Sequence, residues 1–123
     1  GICLGMQILF ETSEESDIDC LGLLPGKVRK LAPSPGIRIP HMGWNTIRSL
    51  GTHPLLRGLD GADFYYVHSY AVAPGSDTLA VCRHGQDFTA VVGHGNRMGV
   101  QFHPERSGAQ GQQLLGNFLA LSA

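Results

Sequence analysis

At 123 residues the chain has room for one domain with a modest core, and 42% hydrophobic residues with both charge signs present describe an ordinary globular sequence. A formal charge of -1, with nine Lys and Arg spread along the chain, offers none of the basic face that nucleic acid asks for. No apolar run reaches the roughly 18 residues of a spanning helix, so a membrane is not expected as a partner either.

The chain opens on Gly1-Ile2-Cys3-Leu4-Gly5-Met6-Gln7, a G-x-C-x-G followed at once by the apolar Ile8, Leu9 and Phe10. This is the thiol form of a nucleophile elbow, a sharp strand-to-helix turn with Cys3 projecting from its tip. Glycines two residues to either side let backbones pass close to the turn. A helix N-terminus favours thiolate over thiol at such a position. Taken alone, the motif suits a reactive cysteine and a buried structural one equally well.

A helix is expected from Leu4 to about Thr12, ending in the acidic stretch Ser13 to Asp17, which reads as a solvated helix end or loop. Pro25-Gly26 marks a turn, and the segment after it, to Leu31, reads as a short strand with its basic residues outward. Ile37–Pro40 and Trp44–Ile47 look like two strand pieces around His41-Met42-Gly43. In that bend Trp44 is by default a core or lid residue; exposed, it would be an interface anchor.

His53 to Leu59 reads as a short helical turn with Pro54 near its start. The aromatic run Phe64-Tyr65-Tyr66-Val67 then forms a strand ending in His68-Ser69-Tyr70, and ligands collect at such strand ends in open α/β sheets. His68 reads as a hydrogen-bonded structural histidine. Thr78–Cys82 and Phe88–Val92 are strands joined by the turn Arg83 to Asp87, and Gly93 to Asn96 leads into another strand before His103. Closely spaced strands of this kind make antiparallel hairpins, so the sheet is expected to be mixed. His84 and His94 are placed in turns, facing water. Leu114, Leu115, Phe118 and Leu119 recur at three and four, giving a closing amphipathic helix packed on the sheet, with Ser107 as its N-cap.

Gly99-Val100-Gln101-Phe102-His103-Pro104-Glu105 alternates like a strand, and its period of two puts His103 and Glu105 on one face. The imidazole can then take a proton from a thiol while the carboxylate orients the ring from behind. With Cys3 they supply nucleophile, base and orienter. Six histidines invite a metal reading, but there is no H-E-x-x-H, and the H-x-E at His103 lacks the P-C-x-x-C of a zinc deaminase, so metal is rejected and no cofactor is expected. Cys3, Cys20 and Cys82 are odd in number, far apart and without a C-x-x-C, which suits a reducing, cytoplasmic compartment and argues against a disulfide framework.

The elbow, the strand end F-Y-Y-V-H-S-Y (Phe64 to Tyr70) and G-V-Q-F-H-P-E-R-S-G (Gly99 to Gly108) together resemble the class I, triad-type glutamine amidotransferase domains. Within them, P-H-M-G-W-N at Pro40 to Asn45 is similar to the glutaminase subunits of imidazole glycerol phosphate synthases. The resemblance implies an α/β, flavodoxin-like fold with a mixed sheet, and a Cys3-His103-Glu105 triad that hydrolyses L-glutamine. Leu4 N–H is implied as an oxyanion donor. The side-chain amide of Gln7 is implied against the substrate, as are backbone groups around Ser69 and Tyr70 at its α-amino and α-carboxylate ends. It places His41, Met42 and Trp44 against a (β/α)8-barrel cyclase subunit that receives the ammonia for histidine biosynthesis.

Such subunits carry a further N-terminal portion, including a second oxyanion donor, so residues 1–123 are expected to be the C-terminal part of a single amidotransferase domain. Two other readings stay open in the sequence. One is an amidotransferase serving another acceptor synthase, against which P-H-M-G-W-N argues. The other is a non-catalytic fragment that keeps the triad residues.

Overall fold

The computed structural model describes residues 1–15 and 18–121. In chain order its elements are α1 (Leu4–Gln7), β1 (Thr12–Ser13), β2 (Ile18–Asp19), β3 (Lys27–Lys30), β4 (His41–Thr46), β5 (Arg48–Ser49), a 3₁₀ turn (Pro54–Leu56), β6 (Asp63–His68), β7 (Tyr70–Val72), β8 (Thr78–Arg83), β9 (Asp87–His94), β10 (Arg97–Val100), a second 3₁₀ turn (Pro104–Arg106) and α2 (Gly108–Ala120). The described strands form a four-stranded sheet β2-β1-β3-β7, a second in the order β10-β9-β8-β5, and the pair β4-β6. Pairing is antiparallel except between β1 and β3 and at the bridge from Ile2 to Val100, so the α/β fold has the mixed sheet that the hairpin spacing predicts.

Strand alternation sets the core. In β6 the even positions Phe64, Tyr66 and His68 face inward, and Phe64 stacks on Phe102 with ring centroids 3.9 Å apart. β9 lies between β8 and β10, covered on both faces, so Phe88 to Val92 are all buried rather than alternating. Each fully buried Phe in this cluster contributes about 2–3 kcal/mol of burial. A second cluster, with Met6, Phe10, Leu24, Val28, Val72 and Val92, sits under the elbow. β3 buries Val28 and turns Lys27, Arg29 and Lys30 outward, as expected.

The elbow helix is shorter than its apolar pattern predicts. It stops at Gln7 because the next N–H groups leave the α pattern: Leu9 and Phe10 donate only three residues back, to Met6 O and Gln7 O, and Glu11 donates outside, to Gly26 O. The carbonyls of Ile8, Leu9 and Phe10 then accept from Leu21 to Leu24. The chain then enters β1, which pairs with β3, where a helix end was expected. Ser16 and Asp17 of the acidic stretch lie outside the described residues. The two strand pieces expected around His41 are also revised. β4 runs unbroken from His41 to Thr46 against β6, and Ile37 instead closes a turn onto Ser34.

At the C-terminus α2 packs through Gly111, Leu114 and Asn117. A β-carbon on Gly111 would meet the Pro104 carbonyl, and Asn117 Nδ2 donates to Leu55 O and Arg57 O at 3.0 Å each. Of the four apolar residues that predicted a packed face, Leu114 alone is buried; Leu115 is 37%, Phe118 49% and Leu119 82% exposed. Leu115 and Phe118, with Ile2, Leu55 and Met98, border an apolar hollow of about 170 Å³.

Candidate functional site: a cysteine elbow and a His–Glu pair

Gly1 and Ile2 run parallel to β10: Val100 N donates to Gly1 O at 2.9 Å and Cys3 N to Val100 O at 2.8 Å. The two neighbouring chain segments therefore reach their carboxyl ends at the same edge, one at Cys3 and the other on the way to His103. At the turn Cys3 has φ 54° and ψ −111°, the one positive φ outside glycine among the described residues. Positive φ costs an L side chain energy, and such outliers persist where the surroundings enforce them.

Gly1 fits the expected glycine role, since a β-carbon there would lie 2.3 Å from Gly5 O. Gly5 does not, because a β-carbon on it would meet nothing within 4 Å. The second close approach comes instead from Gly99, across from Met6.

The Cys3 thiol pKa is raised above its ordinary value: burial is the largest cause, and the Glu105 and Glu15 carboxylates add to it. The Leu4 N–H and the Gln101 side chain oppose it only in part, so the helix N-terminus does not by itself give the thiolate that the sequence predicts. The sulfur donates toward Val67 O at 3.9 Å and accepts from Gln101 Nε2 at 3.7 Å. Leu4 N–H stands at the open end of α1 and is one of the two groups that favour the thiolate.

His103 Nδ1 is 3.0 Å from Glu105 Oε2. An ion pair this exposed (side chains 22% and 51%) contributes at most about 1 kcal/mol to stability, so its effect is on orientation. With Nδ1–H directed at the carboxylate, Nε2 is left free to exchange a proton. The backbone is pinned as well: His103 N donates to Tyr65 O at 2.9 Å. Ser107, fully buried, donates its hydroxyl to His103 O at 2.6 Å and accepts from Tyr65 N at 2.9 Å. Ser107 stands at the N-cap position predicted for it, yet its hydroxyl makes no cap bond to α2 and instead clamps the His103 turn to β6.

Gln7 is 4% exposed, and its Nε2 donates to Tyr70 O at 2.9 Å and Gln101 Oε1 at 3.1 Å. Both N–H groups are therefore used, and Oε1 is what the amide can offer a ligand. Ser69 O accepts from Leu31 N at 2.9 Å, while Tyr70 O accepts from both Gln7 and His68 Nδ1. Their carbonyls thus organise the protein itself.

His41, expected on a partner surface, is 4% exposed. It is the inward residue of β4, stacked on Tyr66 at 4.7 Å and on His84 at 4.1 Å, with Nδ1 3.0 Å from His68 Nε2. Met42 and Trp44, on the opposite face of the strand, are 62% and 56% exposed. Trp44 meets the Tyr65 ring edge-on at 6.1 Å, and Arg106 lies 4.6 Å over that same ring. His68 has the structural role predicted for it. His84 does not face water: half-buried against His41, it is 2.7 Å from Arg38 O through Nε2, while His94 is exposed beside Asp77. Among the described residues no three His, Cys, Asp or Glu side chains gather where a metal could be held, and no helix is long and apolar enough to cross a membrane.

Gln101 was not among the residues the sequence singled out. It falls in an apolar strand end, between the buried Val100 and Phe102, where a polar side chain must find a partner; that was the signal available.

Among curated relatives, "Imidazole glycerol phosphate synthase subunit HisH" of Xylella fastidiosa (strain Temecula1 / ATCC 700964) is 57% identical over 124 residues, covering 100% of this chain and 62% of that protein. The protein of the same name from Xanthomonas axonopodis pv. citri (strain 306) is 58% identical over 123 residues, covering 99% and 62%. The chain thus spans 62% of the length of these relatives. A solved structure from Thermoplasma acidophilum, described as a candidate component of GMP synthase, superposes with a TM-score of 0.57 over 76% of this chain and 47% of its own, at 20% identity, and shares the fold. The family description "Glutamine amidotransferase class-I" matches residues 1–121, and with that match spanning almost its whole length the chain belongs to the class-I glutamine amidotransferase family.

Proposed function

We propose that this chain carries the glutaminase site of an imidazole glycerol phosphate synthase, as the C-terminal part of one amidotransferase domain. The observation that carries the chemistry is Cys3 at a strained elbow, with Leu4 N–H beside its sulfur, next to a chain end that presents the paired His103 and Glu105. The 56–58% identity to relatives of that name, over 99–100% of this chain, favours this acceptor over other synthases.

In the reaction Cys3 gives its proton to His103 Nε2, and the thiolate attacks the side-chain amide carbon of L-glutamine. The resulting oxyanion is met by Leu4 N–H. As the C–N bond breaks, His103 returns the proton to the leaving nitrogen, so ammonia departs and a γ-glutamyl thioester stays on Cys3. Water, deprotonated by His103, then attacks the thioester and releases glutamate. Glu105 keeps the imidazole in one tautomer throughout, and Gln7 Oε1 accepts from the substrate beside the Ser69–Tyr70 strand end. Ammonia passes to a (β/α)8-barrel cyclase subunit that docks on Met42 and Trp44, in the cytoplasm. Every step uses side chains, a backbone N–H and water, without a metal or cofactor.

The test is Cys3→Ala in the full-length protein, in complex with the cyclase. Glutamine-dependent turnover should fall at least about a thousandfold, while turnover with added ammonium stays near wild type, because ammonia production alone uses the thiolate. Glutaminase activity surviving in that variant would remove Cys3 from the mechanism.

A further inference from the structure

We propose that Gln101 is a further residue of the thiol site: a buried chain of hydrogen bonds fixes its side-chain N–H as a donor to Cys3 Sγ, so that it holds the thiolate as that forms. The inference rests on the reading of Cys3 as the nucleophile.

Two backbone carbonyls, which can only accept, set the direction of every bond in the chain. At one end Asn45 Nδ2 donates to Arg83 O at 2.9 Å, so the same amide nitrogen, 3.2 Å from His41 Nε2, donates there too. His41 Nε2 is then the acceptor nitrogen of a neutral ring, and its Nδ1–H donates to His68 Nε2 at 3.0 Å. His68 Nδ1–H in turn donates to Tyr70 O at 2.9 Å. From the other side of that carbonyl Gln7 Nε2 donates to Tyr70 O at 2.9 Å, which turns its second N–H toward Gln101 Oε1 at 3.1 Å. With its oxygen committed, Gln101 has its nitrogen facing Cys3 Sγ at 3.7 Å. No amide in this series can be flipped without setting two donors or two acceptors against each other. Burial fits the assignment: Gln101 is 0%, Gln7 4%, His41 4% and His68 6% exposed.

The sulfur has two alternative sets of partners that suit its two protonation states. As a thiol it donates to Val67 O; as a thiolate it is repelled by that carbonyl and held by the N–H groups of Gln101 and Leu4. The charged groups that face it, the Glu105 and Glu15 carboxylates, both oppose the thiolate, as does burial. On the proposed mechanism His103 takes the proton. Gln101 is thus one of two donors working against those effects.

Two measurements on the full-length protein test this. In the first, the unaltered protein is labelled with ¹⁵N and the Gln101 side-chain NH₂ resonances are followed through the thiol titration. They should shift downfield with the Cys3 midpoint, and the shift should vanish in Cys3→Ala. In the second, the rate of Cys3 alkylation by iodoacetamide is measured against pH in wild type and Gln101→Met, which keeps the shape and removes the N–H. The alkylation midpoint should rise, with the rate at pH 7 falling about tenfold.

Resonances that ignore the thiol titration, or a folded Gln101→Met with an unchanged alkylation profile, would overturn the proposal. If Gln101→Met does not fold, the NMR titration decides alone. Both readouts follow the sulfur rather than turnover. An active Cys3→Ala would therefore sink the glutaminase reading, whereas an inactive Cys3→Ala beside an unchanged Gln101→Met profile would sink this inference only.

Discussion

Gly99 lies so close to Met6 that a β-carbon on it would come within 2.5 Å of Met6 Cγ and 3.3 Å of Met6 Cα. Met6 is fully buried and has nowhere to retreat. Gly99→Ala is therefore expected to push α1 off β10, lowering stability by about 1–3 kcal/mol through overpacking and moving Cys3 with the helix. Thermal unfolding and glutaminase rate, measured together, should both fall; a variant with wild-type melting and rate would show that the contact relaxes freely.

Ser107→Ala leaves Tyr65 N–H and His103 O without their shared hydroxyl in a fully buried position, at a cost of about 1–3 kcal/mol. Because that hydroxyl acts on the His103 turn, kcat should drop about tenfold while KM changes little. An unaltered kcat in the folded variant would confine Ser107 to holding the fold.

The histidine pair predicts the acid side of the stability profile. Burial lowers His41 to about 3 and His68 to about 4, with neighbouring rings adding to the effect in both and the Tyr70 carbonyl opposing it in His68. In the unfolded chain each ring takes its proton near the usual 6.5, so between there and the folded values the unfolded state binds more protons. Stability is fully present above about pH 6.5 and declines as pH falls toward 3, at up to about 1.4 kcal/mol per pH unit for each ring. Urea melts at pH 7, 6 and 5 check this. His68→Gln should flatten part of the slope, and a slope unchanged in that variant would assign the loss to other groups.

If a cyclase subunit docks as proposed, the exposed Met42 and Trp44 are its contact surface. Trp44→Ala should weaken binding of the full-length protein to its cyclase by more than about 1 kcal/mol, measured by titration calorimetry, and leave the melting temperature within about 1–2 °C of wild type because the ring is half exposed. His41→Ala should do the reverse, unfolding more readily through the lost core ring. Unchanged affinity in Trp44→Ala would return the indole to an ordinary surface position.

What could be read in advance divides along physical lines. The elbow, the H-P-E end, the hairpin of β8 and β9 and the turn at Pro54 were legible because each is specified by residues close in sequence. Gln101 and Ser107 were not, since their partners are Cys3, Gln7, His103 and Tyr65, brought up by strand pairing rather than by spacing. The extent of α1 is hidden for the same reason: an apolar helical pattern continues to Phe10, but Leu9 and Phe10 tighten to bonds three residues back and Glu11 N is drawn away to Gly26 O, which ends the helix at Gln7. His41 fell on the wrong side of its strand because a family block names a segment, and only alternation against β6 says which of its side chains look outward.

On the proposed mechanism, the backbone of Cys3 sets stability against activity at a single residue. Its φ of 54° is one that glycine would hold without the steric cost borne by a β-carbon, a cost of roughly 1–3 kcal/mol. Between two inactive variants, Cys3→Gly should consequently melt higher than Cys3→Ala, although it removes more of the side chain. In a selection for thermal tolerance alone, the nucleophile would then be among the first positions to be lost.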